Sequence, residues 1–156
     1  MTPHPHPAGH SLPLRYALPL TLALVASNAC FDHFGAPSGI FLTPVVIVLA
    51  VWLISFCPGQ APMTKTLLSV ALISLNDLGI KLWGGGMHDL EGRGFVSLFL
   101  FVGTVPAFLI LTAGISRDKQ RQKTAKRAAI LLFPVLLLLH LCLTNDLGMG
   151  ECINCY

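Results

Sequence analysis

The sequence predicts an all-α protein that threads a membrane five times. Composition is the first reason: of 156 residues, 54% are hydrophobic and only 11% charged, against about 25% charged in an ordinary soluble domain. The second is a mean hydropathy of +0.72. The third is arrangement. The apolar residues fall into five blocks, and roughly 20 apolar residues in a helix cross a 30 Å hydrocarbon core. The length fits one domain.

Residues 1–14, "MTPHPHPAGHSLPL", are rich in Pro and His and have no period. They predict a disordered tail in the cytoplasm. His4, His6 and His10 could touch a metal, but short His tracts without a fold bind weakly. The membrane domain is expected over 15–148, with spans at about 16–31, 40–57, 66–83, 95–115 and 128–143. The second and fourth are long enough without qualification. The first and fifth are short, and the third is interrupted by Asn76, Asp77 and Lys81. Pro19, Pro44, Pro106 and Pro134 sit inside four of the five. Neighbouring helices satisfy the carbonyls that such prolines free, so kinks are expected rather than breaks. A second reading of the first span is a secretory signal ending at Cys30. That would leave four spans, but Ser27 stands where a lipoprotein signal prefers Leu.

Orientation follows from the cations. Six of the ten Lys and Arg lie in "RDKQRQKTAKR", 117–127, which by the positive-inside rule is cytoplasmic. The same stretch could meet anionic head groups. Threading outward from it puts Arg15 and Lys65 inside. Asp32, Asp89, Glu91, Asp146 and Glu151 fall outside, as does a Cys-containing tail, 149–156. The expected location is an inner (plasma) membrane with the N-terminus cytoplasmic and the C-terminus extracytoplasmic.

The tetrapeptide Asn-Asp-Leu-Gly occurs twice, at 76–79 and 145–148. The second copy sits at a helix end, where Gly148 is an ordinary stop. The first is embedded in a span, and no longer match joins the two, so they are not a repeat. Asn28, Asp77 and His140 lie twelve or thirteen residues beyond Arg15, Lys65 and Arg127. At 1.5 Å per residue each is roughly 18–20 Å from the inner boundary. The sequence therefore suggests one outward-facing polar pocket lined by Asn28, Asn76, Asp77, Lys81 and His140. An intramembrane carboxylate is a functional candidate by default. The plainer alternative is that Asp77 and Lys81, one turn apart in the favourable order, neutralise each other. Likewise a lone His140 can be a packing residue. Asp77 with His140 could also form a proton-sensitive hydrogen bond.

The loop "GGGMHDLEGRG", 84–94, offers His88, Asp89, Glu91 and Arg93 at the pocket mouth, with His33 nearby. Ion or head-group binding there competes with a simple hydrophilic turn. Cys30, Cys142, Cys152 and Cys155 all fall at the outer side, where an oxidising compartment favours disulfides. Cys152 and Cys155 have redox spacing but no following helix to lower the thiol pKa, so a stapled tail or a terminal metal clip competes with redox exchange.

No P-loop, GxSxG, HExxH or dinucleotide fingerprint is present, and no basic-aromatic pattern suggests nucleic acid. Three functions remain. The first is a small membrane protein whose polar pocket binds a small ligand, an ion or a lipid head group, or docks to a membrane complex. The second is an extracytoplasmic thiol–disulfide oxidoreductase using the terminal CxxC. The third is a structural subunit. The bilayer is the expected partner, with a second membrane protein or another copy of the chain as candidates. The sequence specifies neither cofactor nor metal.

Overall fold

The computed structural model describes residues 12–83 and 90–147, and for 90–93 the backbone alone. Among the described residues the chain is all-helical: α1 Leu14–Gly35, α2 Ser38–Ser55, α3 Pro62–Trp83, α4 Leu90–Arg117 and α5 Lys123–Leu143. Each of the five is long and apolar enough to cross a membrane. The four internal prolines leave α1, α2, α4 and α5 continuous.

Most of the helices overrun the apolar blocks that mark them. α1 continues through Cys30 to Gly35, and α5 begins at Lys123, ahead of its first apolar residue. Apolarity marks the part that meets lipid, whereas the backbone helix runs on until a turn ends it. The turn after α1 is "AP" at 36–37. The turn after α2 contains Pro58 and Gly59, with Gly59 at φ 76°, a conformation cheap only for glycine. α3 then opens on Pro62, whose missing N–H costs nothing in a first turn.

The arrangement centres on α3, which packs against all four other helices. Among the described residues α1 touches only α2 and α3, and α5 touches only α3 and α4. The core has two main lobes. One joins Ile47 and Val51, Val70 and Ile73, Leu100 and Leu111, and Phe133 across α2 to α5. The other joins Val25, Val46, Ile54 and Leu72 across α1, α2 and α3. α2 and α4 approach backbone to backbone. A Cβ on Gly103 would lie 2.6 Å from Pro44 Cα, and one on Gly114 would lie 2.8 Å from the Ser55 carbonyl oxygen. Small residues at such crossings let helices associate in lipid, where no hydrophobic force drives them together. The outer surface is apolar, with Phe34, Phe101, Leu131 and Leu143 among its exposed side chains.

The basic end of the bundle is built as well as charged. Lys65 Nζ donates to the Ser55 carbonyl at 2.7 Å, and Lys126 Nζ to that of Ser116 at 3.3 Å. Both lysines thus cap the negative ends of helices, α2 and α4. The Arg117 guanidinium lies over the Phe56 ring at 5.1 Å. Cys57, in the turn beyond α2, is 1% exposed. Burial pushes its thiol above the ordinary value, and the nearby Lys65 ammonium offsets part of that rise.

Candidate functional site

Asn76 and Asp77 are successive residues on α3, so their side chains leave the helix about 100° apart. α3 is the central helix, and the two side chains therefore reach different neighbours.

Asp77 faces α5. Asp77 and Lys81 are spaced i, i+4 on α3, and His140 and Thr144 are spaced i, i+4 on and just beyond α5, so two pairs meet across one helix crossing. Lys81 Nζ lies 2.8 Å from Asp77 Oδ2. His140 Nε2 lies 2.9 Å from the same oxygen, which requires the ring to carry its proton on Nε2. Lys81 spends its other donors on the Thr144 carbonyl at 3.3 Å and hydroxyl at 3.4 Å. The Thr144 hydroxyl donates back to the His140 carbonyl at 2.9 Å, closing the end of α5. The side chain of Asp77 is fully buried and that of Lys81 is 6% exposed. The second carboxylate oxygen, Asp77 Oδ1, is buried and accepts no hydrogen bond.

Asn76 faces α1 and α2. Asn28 Nδ2 donates to Asn76 Oδ1 at 2.9 Å and makes a long contact of 3.5 Å with Thr43 Oγ1. Asn76 Nδ2 donates to the same hydroxyl at 3.4 Å, and that hydroxyl donates to the Gly39 carbonyl at 3.0 Å. Three helices are therefore tied by one buried amide–amide–hydroxyl cluster.

The single lining expected from the sequence is accordingly replaced by two clusters. Asn28 does not join Asp77 and His140, because α1 and α5 do not touch and α3 stands between them. Residue counting speaks to position along each helix, not to the azimuth around it. Thr43 and Thr144, which complete the two clusters, were missed. Threonine is common in membrane helices, where its hydroxyl bonds back to the preceding turn, and neither residue stands out by spacing. Asp32 was expected only as an outer-side acid, yet it is fully buried.

His33 sits apart from both clusters. Its Nδ1 lies 2.8 Å from the Trp83 carbonyl oxygen, and its ring stacks on the Trp83 indole at 4.9 Å between centroids. Cys30 is half-buried on α1 and Cys142 exposed on α5, on helices without contact, so they are not poised as a pair. The side chains of His88, Asp89, Glu91, Arg93, Cys152 and Cys155 lie outside the described residues, as do 1–11 of the tail. Among the described residues no three His, Cys, Asp or Glu side chains converge as metal ligands.

Among the described residues, grooves indent the surface. Two lie along α1, of about 510 and 190 Å³, and one between α4 and α5, of about 260 Å³ beside Phe108 and Phe133. Their linings are overwhelmingly apolar, and Asn28, Asn76, Asp77, Lys81 and His140 line none of them.

Compared with protein-family models, with curated proteins and with solved structures, the chain matches none.

Proposed function

We propose that this chain is a small multi-pass membrane protein that binds a polar ligand or a lipid head group at the α3–α5 cluster. The observation that carries the reading is the state of Asp77. Its Oδ2 is shared by Lys81 and His140, while Oδ1 is buried and accepts nothing. A buried carboxylate oxygen without a donor is costly, and a ligand that donates one hydrogen bond there offsets the cost. Mutual neutralisation of Asp77 and Lys81 alone does not account for His140. The site carries no net charge with the imidazole neutral and one positive charge with it protonated. A polar ligand or head group of low net charge, with a donor for Oδ1, matches both conditions.

The basic end supports an orientation with 117–127 in the cytoplasm of an inner membrane, which puts the α3–α5 cluster toward the outer face. An impermeant maleimide applied to intact cells should then reach Cys152 and Cys155, at the latest after reduction. Labelling only in opened membranes would reverse the threading.

Native mass spectrometry of the purified protein tests the ligand. Wild type should retain a noncovalent species that Asp77→Asn and His140→Ala lose, with the yield and helicity of His140→Ala unchanged. Retention of the same species by both variants would sink the proposal. So would a wild type that carries none under the gentlest release from detergent.

A further inference from the structure

A second buried carboxylate lies on the other side of the bundle. Asp32, in the last turn of α1, is fully buried. Its Oδ1 accepts the Ile40 N–H at 3.3 Å, in the first turn of α2. Its Oδ2 is buried and accepts no hydrogen bond. One helical turn earlier on the same face of α1 is Asn28, 3% exposed. Asn28 Nδ2 is engaged by Asn76, and Asn28 Oδ1 is buried without a partner.

Asp32 and Asn28 lie one turn apart on the face of α1 against which α2 seats through Gly39. A Cβ on Gly39 would run into Asp32 Cβ and would lie 2.8 Å from the Asn28 carbonyl oxygen. Thr43, one turn further along α2, contacts Asn28 and donates to the Gly39 carbonyl. On that face of α1 a carboxylate oxygen and a carboxamide oxygen are both buried without a donor.

The charge balance is equally one-sided. No Lys, Arg or His forms an ion pair with Asp32 among the described residues. His33, its chain neighbour, turns instead to the Trp83 carbonyl. The positive end of α2 is worth about half a unit charge and acts through Oδ1. That leaves the Oδ2 side of the carboxylate without a counter-charge, in surroundings where an unpaired ion is expensive.

We infer that Asp32 Oδ2 and Asn28 Oδ1 contribute to a binding site for a monovalent alkali cation where α1, α2 and α3 meet. Hard oxygen donors suit alkali and alkaline-earth ions rather than zinc or copper. A single carboxylate balances one positive charge, whereas calcium and magnesium sites commonly gather more anionic oxygen. The site shares no residue with the Asp77 cluster and does not depend on its ligand.

Thermal unfolding of the purified full chain in lipid nanodiscs tests this. NaCl is exchanged for choline chloride at constant ionic strength and constant pH. Mass action stabilises a protein that binds an ion only when folded. At ten times the Kd, the midpoint should rise by about 4 °C. Asp32→Asn keeps the shape and an acceptor for Ile40 but removes the charge, and should abolish the response to Na⁺. Should Asp32→Asn fail to fold, Asn28→Asp gives a second reading, because an added carboxylate should alter the preference among Na⁺, K⁺ and Ca²⁺. Equal midpoints for wild type in Na⁺, K⁺ and choline would overturn the inference. So would an undiminished Na⁺ response in Asp32→Asn, or an unaltered cation preference in Asn28→Asp. A midpoint that follows pH but no metal cation would assign Oδ2 a proton instead, and overturns it as well.

Discussion

Asp77→Ala should be among the most damaging single substitutions in this chain, and the geometry gives the size of the effect. The carboxylate accepts from Lys81 at 2.8 Å and from His140 at 2.9 Å, inside the α3–α5 contact. Removing it leaves the Lys81 ammonium, 6% exposed, with only the Thr144 carbonyl and hydroxyl, at 3.3 and 3.4 Å, among the described residues. An uncompensated buried charge of this kind costs about 3–5 kcal/mol. His140→Ala removes one interhelical hydrogen bond, worth about 0.6 and at most roughly 1.7 kcal/mol in a membrane bundle. Replacing both charges, Asp77→Leu with Lys81→Leu, removes the problem along with the pair, so the double variant should lie within about 1 kcal/mol of wild type. Reversible unfolding in bicelles, followed by helicity or steric trapping, supplies all three differences. An Asp77→Ala cost no greater than that of His140→Ala would refute the unpaired-charge account, as would a Leu–Leu double as costly as Asp77→Ala.

Three further outcomes are expected. Asn28→Ala strips the donor from buried Asn76 Oδ1 and should cost about 1–3 kcal/mol, and a double-mutant cycle with Asn76→Ala should show coupling above about 0.5 kcal/mol. Strict additivity would deny that the two amides interact. Gly103→Ala sets a Cβ 2.6 Å from the Pro44 backbone and should cost about 1–3 kcal/mol, because backbone cannot step aside as a side chain can. Gly94→Ala is the control, since among the described residues its Cβ meets nothing within 4 Å; equal melting temperatures for the two variants would refute the close approach. Cys57 should resist alkylation in the folded protein and react on unfolding in SDS, as burial both shields the thiol and raises its pKa. At neutral pH the raised value leaves less thiolate, so any residual native rate should climb as pH rises toward and beyond 9. Rapid pH-independent labelling of the native protein would contradict this.

The adjacency of Asn76 and Asp77 shows what could and could not be read in one dimension. A span that breaks its own apolarity with an amide and an acid announces buried polar chemistry. Depth along the axis follows from counting, since rise per residue is fixed. Asn28, Asp77 and His140 are all polar intrusions at comparable counts from a cation. Whether they meet depends on which helix stands beside which, and that is a property of packing. α3 holds the centre, so its two consecutive polar residues serve two interfaces. Lys65 and the basic linker carried a topology signal in the sequence, but their capping of α2 and α4 depended on where Ser55 and Ser116 came to rest.

The sequence by itself determined the number of helices, their approximate limits, and the alternation that gathers the cations at one end. These are set by local composition against a slab of fixed thickness, with short turns that allow only antiparallel neighbours. The tertiary structure decided the partners. It sent Asn28 to Asn76 and Thr43, His140 to Asp77, and Asp32 to the first turn of α2. The physical reason is that lipid is as apolar as leucine. Hydropathy places a segment in the membrane but says little about its rotation, which is fixed by close-packed small residues and by polar groups that must find one another.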